Sequence, residues 1–191
     1  MYTLNNIFEL IETQANSHLQ TFADMYPLTE VRMFGRGKAN IDRLCESADG
    51  LNLSSVVCAS AEETVNGADL IVSSVTYSAG LTPFLDANWL KPGSFAAVTD
   101  LAAPWKKESF PAFDRITIDD LEQEKAAPIK LVPHDLVTGD LSGLVLGKYK
   151  GRNGDDDRTA FIFRGHALGD LALSALAFQK AALQQKTINS T

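Results

Sequence analysis

The chain has 191 residues, of which 45% are hydrophobic, and its 24 acidic against 17 basic residues give a formal net charge of -7. That length suits one domain with a substantial core, and the negative charge argues against nucleic acid or an anionic membrane as a partner. No stretch approaches the roughly 20 apolar residues of a membrane span, and the first residues lack the pattern of a signal peptide. Cys45 and Cys58 have no metal-binding spacing, which indicates a reducing, cytoplasmic setting.

The first half of the chain alternates helical and extended patterns. Residues 5–26 place apolar side chains at helical spacing, with Asn5 or Asn6 as the N-cap and Pro27 at the end, so they predict one helix. A capping box of Ser60 and Glu63 begins another short helix. The remaining elements predicted in this half are strands at 30–34, 53–59 and 69–76 and a helix at about 39–48.

The second half continues the alternation and ends in a helix. Strands are predicted at 94–100, 115–118 and 159–163, an acidic helix near 119–124, and an apolar-striped helix at 166–185. The consecutive acids Asp155, Asp156 and Asp157 cannot all face one centre, so they predict a solvated turn and no metal site. The alternation indicates an α/β fold in which helices flank a mostly parallel sheet with right-handed crossovers.

The carboxyl ends of the predicted strands select one candidate site. In a parallel α/β sheet, ligands bind beyond these ends, which gathers residues 35–37, 75–78 and 99–100 on one rim. The junction at residues 165–170 joins a strand to a helix N-terminus through small residues, a common way to build a cofactor contact. The alternative is that this junction is only a tight packing joint.

Several short motifs, in shared order and spacing, carry a family resemblance. They are 14–19 (Gln-Ala-x-x-His-Leu), 66–72 (Asn-Gly-Ala-Asp-Leu-Ile-Val), 91–94 (Lys-Pro-Gly-Ser) followed by Asp100, and Gly151-Arg152 followed by Thr159, Phe161, Gly165, Ala167 and Asp170. On these residues the chain resembles the ornithine cyclodeaminase/mu-crystallin family of NAD(P)-dependent proteins, from Gln14 to Ala181.

The resemblance implies a fold and a chemistry. It implies that residues 1–191 are a single NAD(P)-binding-like Rossmann domain on which the helix at 166–185 packs back. The chemistry implied is hydride exchange between NAD(P) and an amino or imino acid, leading to cyclodeamination or imine reduction. Asp100 takes the role of the catalytic acid/base in this resemblance; the alternative is that it only caps the turn before Pro104.

The cofactor residues follow from the same resemblance. Arg36 and Lys38 stand where NAD-specific proteins usually carry an acid, so a bound dinucleotide is expected to be NADP(H) rather than NAD(H); the alternative is a solvated loop. The other expected cofactor-binding residues are Gly37, Thr76, Ser78, Thr99, Gly165 and Ala167. For Thr76 and Ser78 the alternative is that their hydroxyl groups only satisfy a turn.

The chain also departs from the family pattern. Residues 7–13 contain no glycine, so the expected domain lacks the usual first strand and the glycine loop, and cofactor binding is expected to be weak or absent. The family's N-terminal substrate and dimerisation domain is also missing. A sheet without its first strand has unpaired edge groups, which predicts a homodimer or a higher oligomer.

These departures bear on the substrate, on the function and on the start of the chain. Residues 101–108 form a longer segment than the family's, which indicates an amino or imino acid substrate other than ornithine. The alternative function is a truncated, catalytically silent Rossmann-like domain that acts as a binding or interaction module. A further possibility is that the true start lies upstream and that the sequence is incomplete.

Overall fold

The computed structural model describes residues 4–9, 12–76 and 78–188. Its strands are β1 (Leu4–Glu9), β2 (Glu30–Gly35), β3 (Ser54–Val57), β4 (Leu70–Ser74), β5 (Phe95–Val98), β6 (Arg115–Ile118), β7 (Val137–Asp140) and β8 (Thr159–Ile162). Its α-helices are α1 (Glu12–Met25), α2 (Lys38–Gly50), α3 (Ala61–Val65), α4 (Leu121–Ala126), α5 (Leu141–Val145) and α6 (Ala167–Ile188).

The described strands form one parallel sheet in the order β3-β2-β1-β4-β5-β8-β6-β7. This arrangement confirms the predicted fold class, a Rossmann-like parallel sheet flanked by helices. Side chains of β4 alternate between the two faces, as the period of two along a strand requires. Leu70 and Val72 pack with α1 and α2, whereas Ile71 packs in the larger core on the other face.

The expectation that the first strand is missing is wrong. Residues 4–9, predicted as the start of a helix, form β1, which pairs with β2 on one side and with β4 on the other. Ile7, Leu10 and Ile11 have helical spacing, but hydrogen bonding to two neighbouring strands outweighs that local pattern. The predicted helix is therefore divided into β1 and α1. Residues 10–11, between β1 and α1, lie outside the described residues, and their sequence includes no glycine.

The last helix does not pack back on the domain as predicted. Large apolar side chains along α6 remain exposed; they are Leu168, Leu171, Leu173, Leu176, Phe178 and Leu183. Between 47% and 76% of each side chain's reference surface is accessible. A wide apolar stripe predicts burial somewhere, but it does not specify which surface covers the helix.

Local signals elsewhere agree with the structure. Ser60 Oγ accepts a hydrogen bond from Glu63 N at 3.1 Å, and the Glu63 carboxylate accepts one from Ala59 N at 2.8 Å, so the predicted start of α3 is confirmed. The edge strand β7 and the short helix α5 were not predicted. Both elements are short, and β7 contains Gly139, which weakens the extended pattern in the sequence.

Candidate active site at the carboxyl edge of the sheet

Neighbouring strand ends bring the predicted rim together. The last residues of β2, β1 and β4 are paired in one row across the sheet. One row inward, Val98 of β5 pairs with Ser73 of β4 and with Ile162 of β8. The segments that follow β2, β4, β5 and β8 therefore leave the same edge of the sheet. Between β2 and β5 there are three strand spacings, or about 14 Å.

Asp100 lies at the centre of this edge. It follows β5 and is buried, with 5% of its surface exposed. Its carboxylate reaches toward β4, where Oδ1 accepts a hydrogen bond from Ser73 Oγ at 3.2 Å and Oδ2 accepts one from Val75 N at 3.1 Å. The carboxylate thus joins the end of β4 to the segment that follows β5.

The surroundings of Asp100 alter its acidity. Burial raises the pKa of Asp100 to about 6, from an ordinary value of 3.8. Hydrogen bonds from Val75 N, Ser73 Oγ and the backbone amides of Asp100 and Ala102 act in the opposite direction but do not offset the burial. A carboxyl group with a pKa near neutrality can both give and take a proton, as acid–base catalysis requires.

The turn after Asp100 has an uncommon backbone conformation. Leu101 and Ala102 have φ angles of 59° and 55°, in the left-handed region that residues with a Cβ seldom adopt. The amides of Phe84 and Leu85 donate to Pro104 O at 2.7 and 2.8 Å and hold the turn in place. Strained backbone of this kind clusters at functional sites, because the surrounding structure must maintain it.

A tryptophan completes the hydrogen bonds around Asp100. The indole Nε1 of Trp105 donates to Ser73 Oγ at 2.9 Å, and Trp105 is 1% exposed. Neither Ser73 nor Trp105 was predicted as a site residue. A serine inside a buried strand requires a hydrogen-bond partner and was the available signal, but the sequence does not show which residue that partner is.

The predicted cations lie at the end of β2. Arg36 is exposed, and its guanidinium has no ion-pair partner within the ranges that the structure describes. Lys38 Nζ lies 2.9 Å from both carboxylate oxygens of Asp42. Gly37, between them, is the N-cap of α2. Arg36 is therefore the cation with the more available charge.

Hydroxyl groups follow β4 and β5. Thr76 and Ser78 are exposed after β4. Thr99 Oγ1 donates to Ser73 O at 3.0 Å and so binds β5 to β4. Gln14, in the first turn of α1, accepts a hydrogen bond at Oε1 from Ser74 Oγ at 3.1 Å, which brings the start of α1 to the same edge.

The junction after β8 is attached to the neighbouring β6. Gly165 has a φ of 106°; its amide donates to Asp119 Oδ2 at 2.8 Å, and its carbonyl accepts from Gln123 Nε2 at 3.0 Å. Ala167 begins α6 and is exposed. These contacts support the alternative of a packing joint, because they anchor the junction on the side of β8 away from β5.

An ion pair reinforces this joint. Arg164 Nε donates to Glu124 Oε2 at 2.8 Å, and Glu124, which is 6% exposed, also accepts at Oε1 from Leu131 N at 2.6 Å. The ion pair therefore connects α4, the segment after it and the strand β8.

Other features of the described chain lie away from this edge. A groove of about 770 Å³ borders Leu70 and Phe95, the first residues of β4 and β5, and so lies at the amino edge of the sheet. Arg152 at this groove already donates to Gly93 O at 2.8 Å.

The described ranges contain no cluster of three or more His, Cys, Asp or Glu side chains placed for a metal ion. None of the helices described is both long and apolar enough to cross a membrane.

The parallel sheet and its carboxyl edge define a class of domain. This is the Rossmann-like class, in which dinucleotide-dependent enzymes bind their cofactor across the strand ends. The chain belongs to the ornithine cyclodeaminase/mu-crystallin family, whose sequence profile matches residues 11–185. The predicted resemblance is thereby confirmed.

Individual relatives and solved structures agree with the family and the fold. Ketimine reductase mu-crystallin of Rattus norvegicus is 33% identical over 95 residues, which cover 49% of this chain and 28% of the relative. Thermococcus litoralis Δ1-pyrroline-2-carboxylate reductase, solved with NADH and L-proline, has a TM-score of 0.76 and 17% identity over 90% of this chain and 56% of its own. An archaeal alanine dehydrogenase dimer with bound NAD has a TM-score of 0.78 and 19% identity, over 96% of this chain and 58% of its own.

The chain is shorter than these relatives. Curated relatives that match it along most of its length are covered over only 54% of their own length. The chain therefore spans about half the length of those proteins.

Proposed function

We propose that this chain is the dinucleotide-binding part of an NAD(P)-dependent enzyme that acts on an amino or imino acid other than ornithine. Asp100 carries the proposal, because its buried carboxyl group lies between β4 and β5 at the edge where Rossmann-like domains bind ligands. Its pKa, raised by burial to about 6, suits proton transfer. The family membership supports the same chemistry, since relatives are named as reductases and dehydrogenases of this kind.

The residues at the edge fit the two ends of a dinucleotide better than its centre. Arg36 offers an exposed guanidinium after β2, where a 2′-phosphate would need a cation, and this favours NADP(H). Thr76 and Ser78 offer hydroxyl groups after β4, near Asp100. The diphosphate would meet the chain between β1 and α1, whose sequence has no glycine to permit a close approach.

Different residues of the chain would have different roles in the reaction. The nicotinamide, when bound, supplies or accepts the hydride. Asp100 holds or releases a proton at its carboxylate, while Ser73 and Val75 N keep that carboxylate in place. Burial excludes water from the group, and Arg36 distinguishes NADP(H) from NAD(H). Gly37 and Thr99 would contribute backbone and packing around the cofactor path, whereas Gly165, just before Ala167 and α6, is attached to the segments after β6.

Titration with NADPH and NADH tests this proposal. Because the glycine loop is absent, NADPH should bind saturably but weakly, with a dissociation constant at or above roughly 1 mM. Quenching of tryptophan fluorescence reports binding, because Trp105 is hydrogen-bonded to Ser73, which in turn donates to Asp100. Asp100→Asn should leave the dissociation constant nearly unchanged, because in this proposal the carboxyl group exchanges a proton with the substrate and does not bind the dinucleotide. Absence of saturable binding by either dinucleotide at about 10 mM would contradict cofactor binding by this chain.

A second candidate function is a catalytically silent binding module. The lack of glycine in the sequence between β1 and α1 favours this function, and so does the exposed α6. The two functions differ once a relative's N-terminal half is supplied in trans or by fusion. An enzyme then turns over amino or imino acids, and Asp100→Asn lowers kcat by about 10²–10⁴-fold. A silent module binds that half with no turnover.

We also propose that the chain self-associates through α6. The six exposed large apolar residues of α6 cover about 220° of its circumference at 100° per residue, which is wider than the stripe of an ordinary surface helix. Taking about 150 Å² for a large apolar side chain, they expose about 600 Å², comparable with one side of a standard interface of about 800 Å². A second copy of α6 offers the same apolar surface, and more than two copies would cover more of the arc.

Light scattering at tens of micromolar tests self-association. The unmodified chain should be a dimer or larger, and replacing Leu171 and Leu176 together by Lys should give a monomer. Ile129→Lys is the matched control, because Ile129 is also exposed but lies outside α6. A monomeric unmodified chain would refute the proposal.

The cellular setting is a further proposal. Cys45 and Cys58 are both free thiols, and Cys58 is buried. This supports a reducing, cytoplasmic compartment.

A further inference from the structure

The hydrogen-bond chain from Trp105 through Ser73 to Asp100 has a fixed direction. An indole N–H can only donate, so the bond from Trp105 Nε1 occupies an acceptor position of Ser73 Oγ. The serine has one proton, and the carboxylate oxygen Oδ1 of Asp100 lies 3.2 Å from its oxygen. The hydroxyl therefore points its proton at the carboxylate.

We propose that Trp105 is a positioning residue that acts through Ser73 to hold Asp100 as a hydrogen-bond acceptor facing β4. The inference rests on the proposed function of Asp100 for its catalytic meaning, although the hydrogen-bond chain itself is independent of any cofactor. Trp105 does not contact the carboxylate directly, so its influence is transmitted by the orientation of one hydroxyl group.

The surrounding structure keeps Trp105 rigid enough for this task. Its ring packs against Phe113 at a centroid distance of 5.8 Å, and it is 1% exposed. Its neighbours in sequence are held by backbone bonds, with Lys106 N donating to Leu85 O at 2.8 Å. The indole therefore has little freedom to withdraw from Ser73.

Charged groups do not replace the hydrogen bonds around Asp100. The strands and the turn packed against it, residues 70–76, 95–99 and 101–105, contain no titratable side chain. Charged residues that follow these segments and β8 have partners of their own: Lys106 with Asp86, Arg164 with Glu124, and His166 with Asp120. Dipoles of neutral groups are therefore the main influence opposing burial at this carboxyl group.

Trp105 lies in the segment at residues 101–108, which the resemblance predicts to be longer than the family's. Leu101 and Ala102 in this segment have positive φ angles, and the indole of Trp105 that follows them donates to Ser73 of β4.

NMR titration of the full chain tests the inference without cofactor or substrate. The indole Nε1–H signal of Trp105 should move with pH at the same midpoint as the carboxyl carbon of Asp100, which Asp100→Asn identifies by its loss. The indole signal of Trp89 should not follow that midpoint, because its ring faces Lys106, whose Nζ lies 5.2 Å from the ring centroid.

Two variants then separate transmission from packing. Ser73→Ala removes one donor, so the midpoint of Asp100 should rise by about one pH unit, and the Trp105 signal should no longer follow it. Trp105→Phe keeps an aromatic ring and should raise the midpoint by about half as much. If the Trp105 signal of the unmodified chain does not shift at the midpoint of Asp100, the inference is overturned. It is also overturned if this shift persists in Ser73→Ala. Weak dinucleotide binding would leave both readouts unaffected, so failure of the proposed function is distinguishable.

Discussion

Asp100 should make the stability of this protein depend on pH in a direction opposite to that of most carboxylates. Its pKa is about 6 in the folded chain, against an ordinary value of 3.8. Between these values the native state binds more protons than the unfolded state, so the free energy of unfolding falls as pH rises. The contribution of Asp100 is fully present below about pH 3.8 and is lost above about pH 6.

The size of this effect follows from the difference between the two pKa values. Each pH unit corresponds to about 1.4 kcal/mol, so ionising Asp100 should cost about 3 kcal/mol of stability between pH 3.5 and pH 7. Because Asp100 is 5% exposed, solvent screening reduces this figure little. Asp100→Asn keeps the shape but removes the titration. As pH rises, the free energy of unfolding of the unmodified chain should therefore fall by about 3 kcal/mol relative to that of the variant.

Urea denaturation at half-unit intervals from pH 3.5 to 7.5 measures this difference. Asp86→Asn is a control of opposite sign. Burial acts to raise the pKa of Asp86, but hydrogen bonds from Asn88 and Lys106 hold it below its ordinary value. As pH rises through the acid range, the free energy of unfolding of the unmodified chain should therefore increase relative to that of Asp86→Asn. Parallel curves for the unmodified chain and Asp100→Asn would refute the account of Asp100 as a buried carboxyl group that titrates near neutrality.

The other predictions concern the turn, the joint and the cation. Leu101→Gly should raise the free energy of unfolding by about 1 kcal/mol, because glycine adopts a positive φ without strain; an unchanged urea midpoint would contradict this. Arg164→Met should lower stability by about 3 kcal/mol by leaving Glu124 buried without its cation, whereas Glu124→Gln, which keeps an acceptor for Leu131 N, should cost less. Equal losses in thermal melts would argue against the ion pair. Arg36→Ala should remove any preference for NADPH over NADH, measured as the ratio of their dissociation constants; an unchanged ratio would exclude a role in binding the 2′-phosphate.

The sequence could predict those elements whose local pattern and tertiary setting agree. The strand at 115–118 coincides with β6, and Ser60 caps α3 as expected. The carboxyl-edge rule predicts Asp100 on the same rim as residues 75–78, and Val75 N donates to its carboxylate. In each case, the tertiary contacts reinforce what the local residues already favour.

Other parts depend on contacts that no local pattern records. β1 is a strand because β2 and β4 supply partners on both sides, while its apolar residues have the spacing of a helix. Ser73 and Trp105 are 32 residues apart, so their hydrogen bond depends on the path of the turn after β5. The same holds for Gly165, whose contacts with Asp119 and Gln123 cross to another strand.

The position of β1 changes the physical reason to expect assembly. Without a first strand, the sheet would present unpaired backbone groups near its centre, and another chain could bind there. In the structure β1 fills that position, and the edges of the sheet are the short strands β3 and β7. The surface that requires cover is instead α6, whose side chains are apolar and exposed. A change in α6 should therefore alter association and leave the sheet intact, whereas a change at the edge strand β3 should have little effect on association.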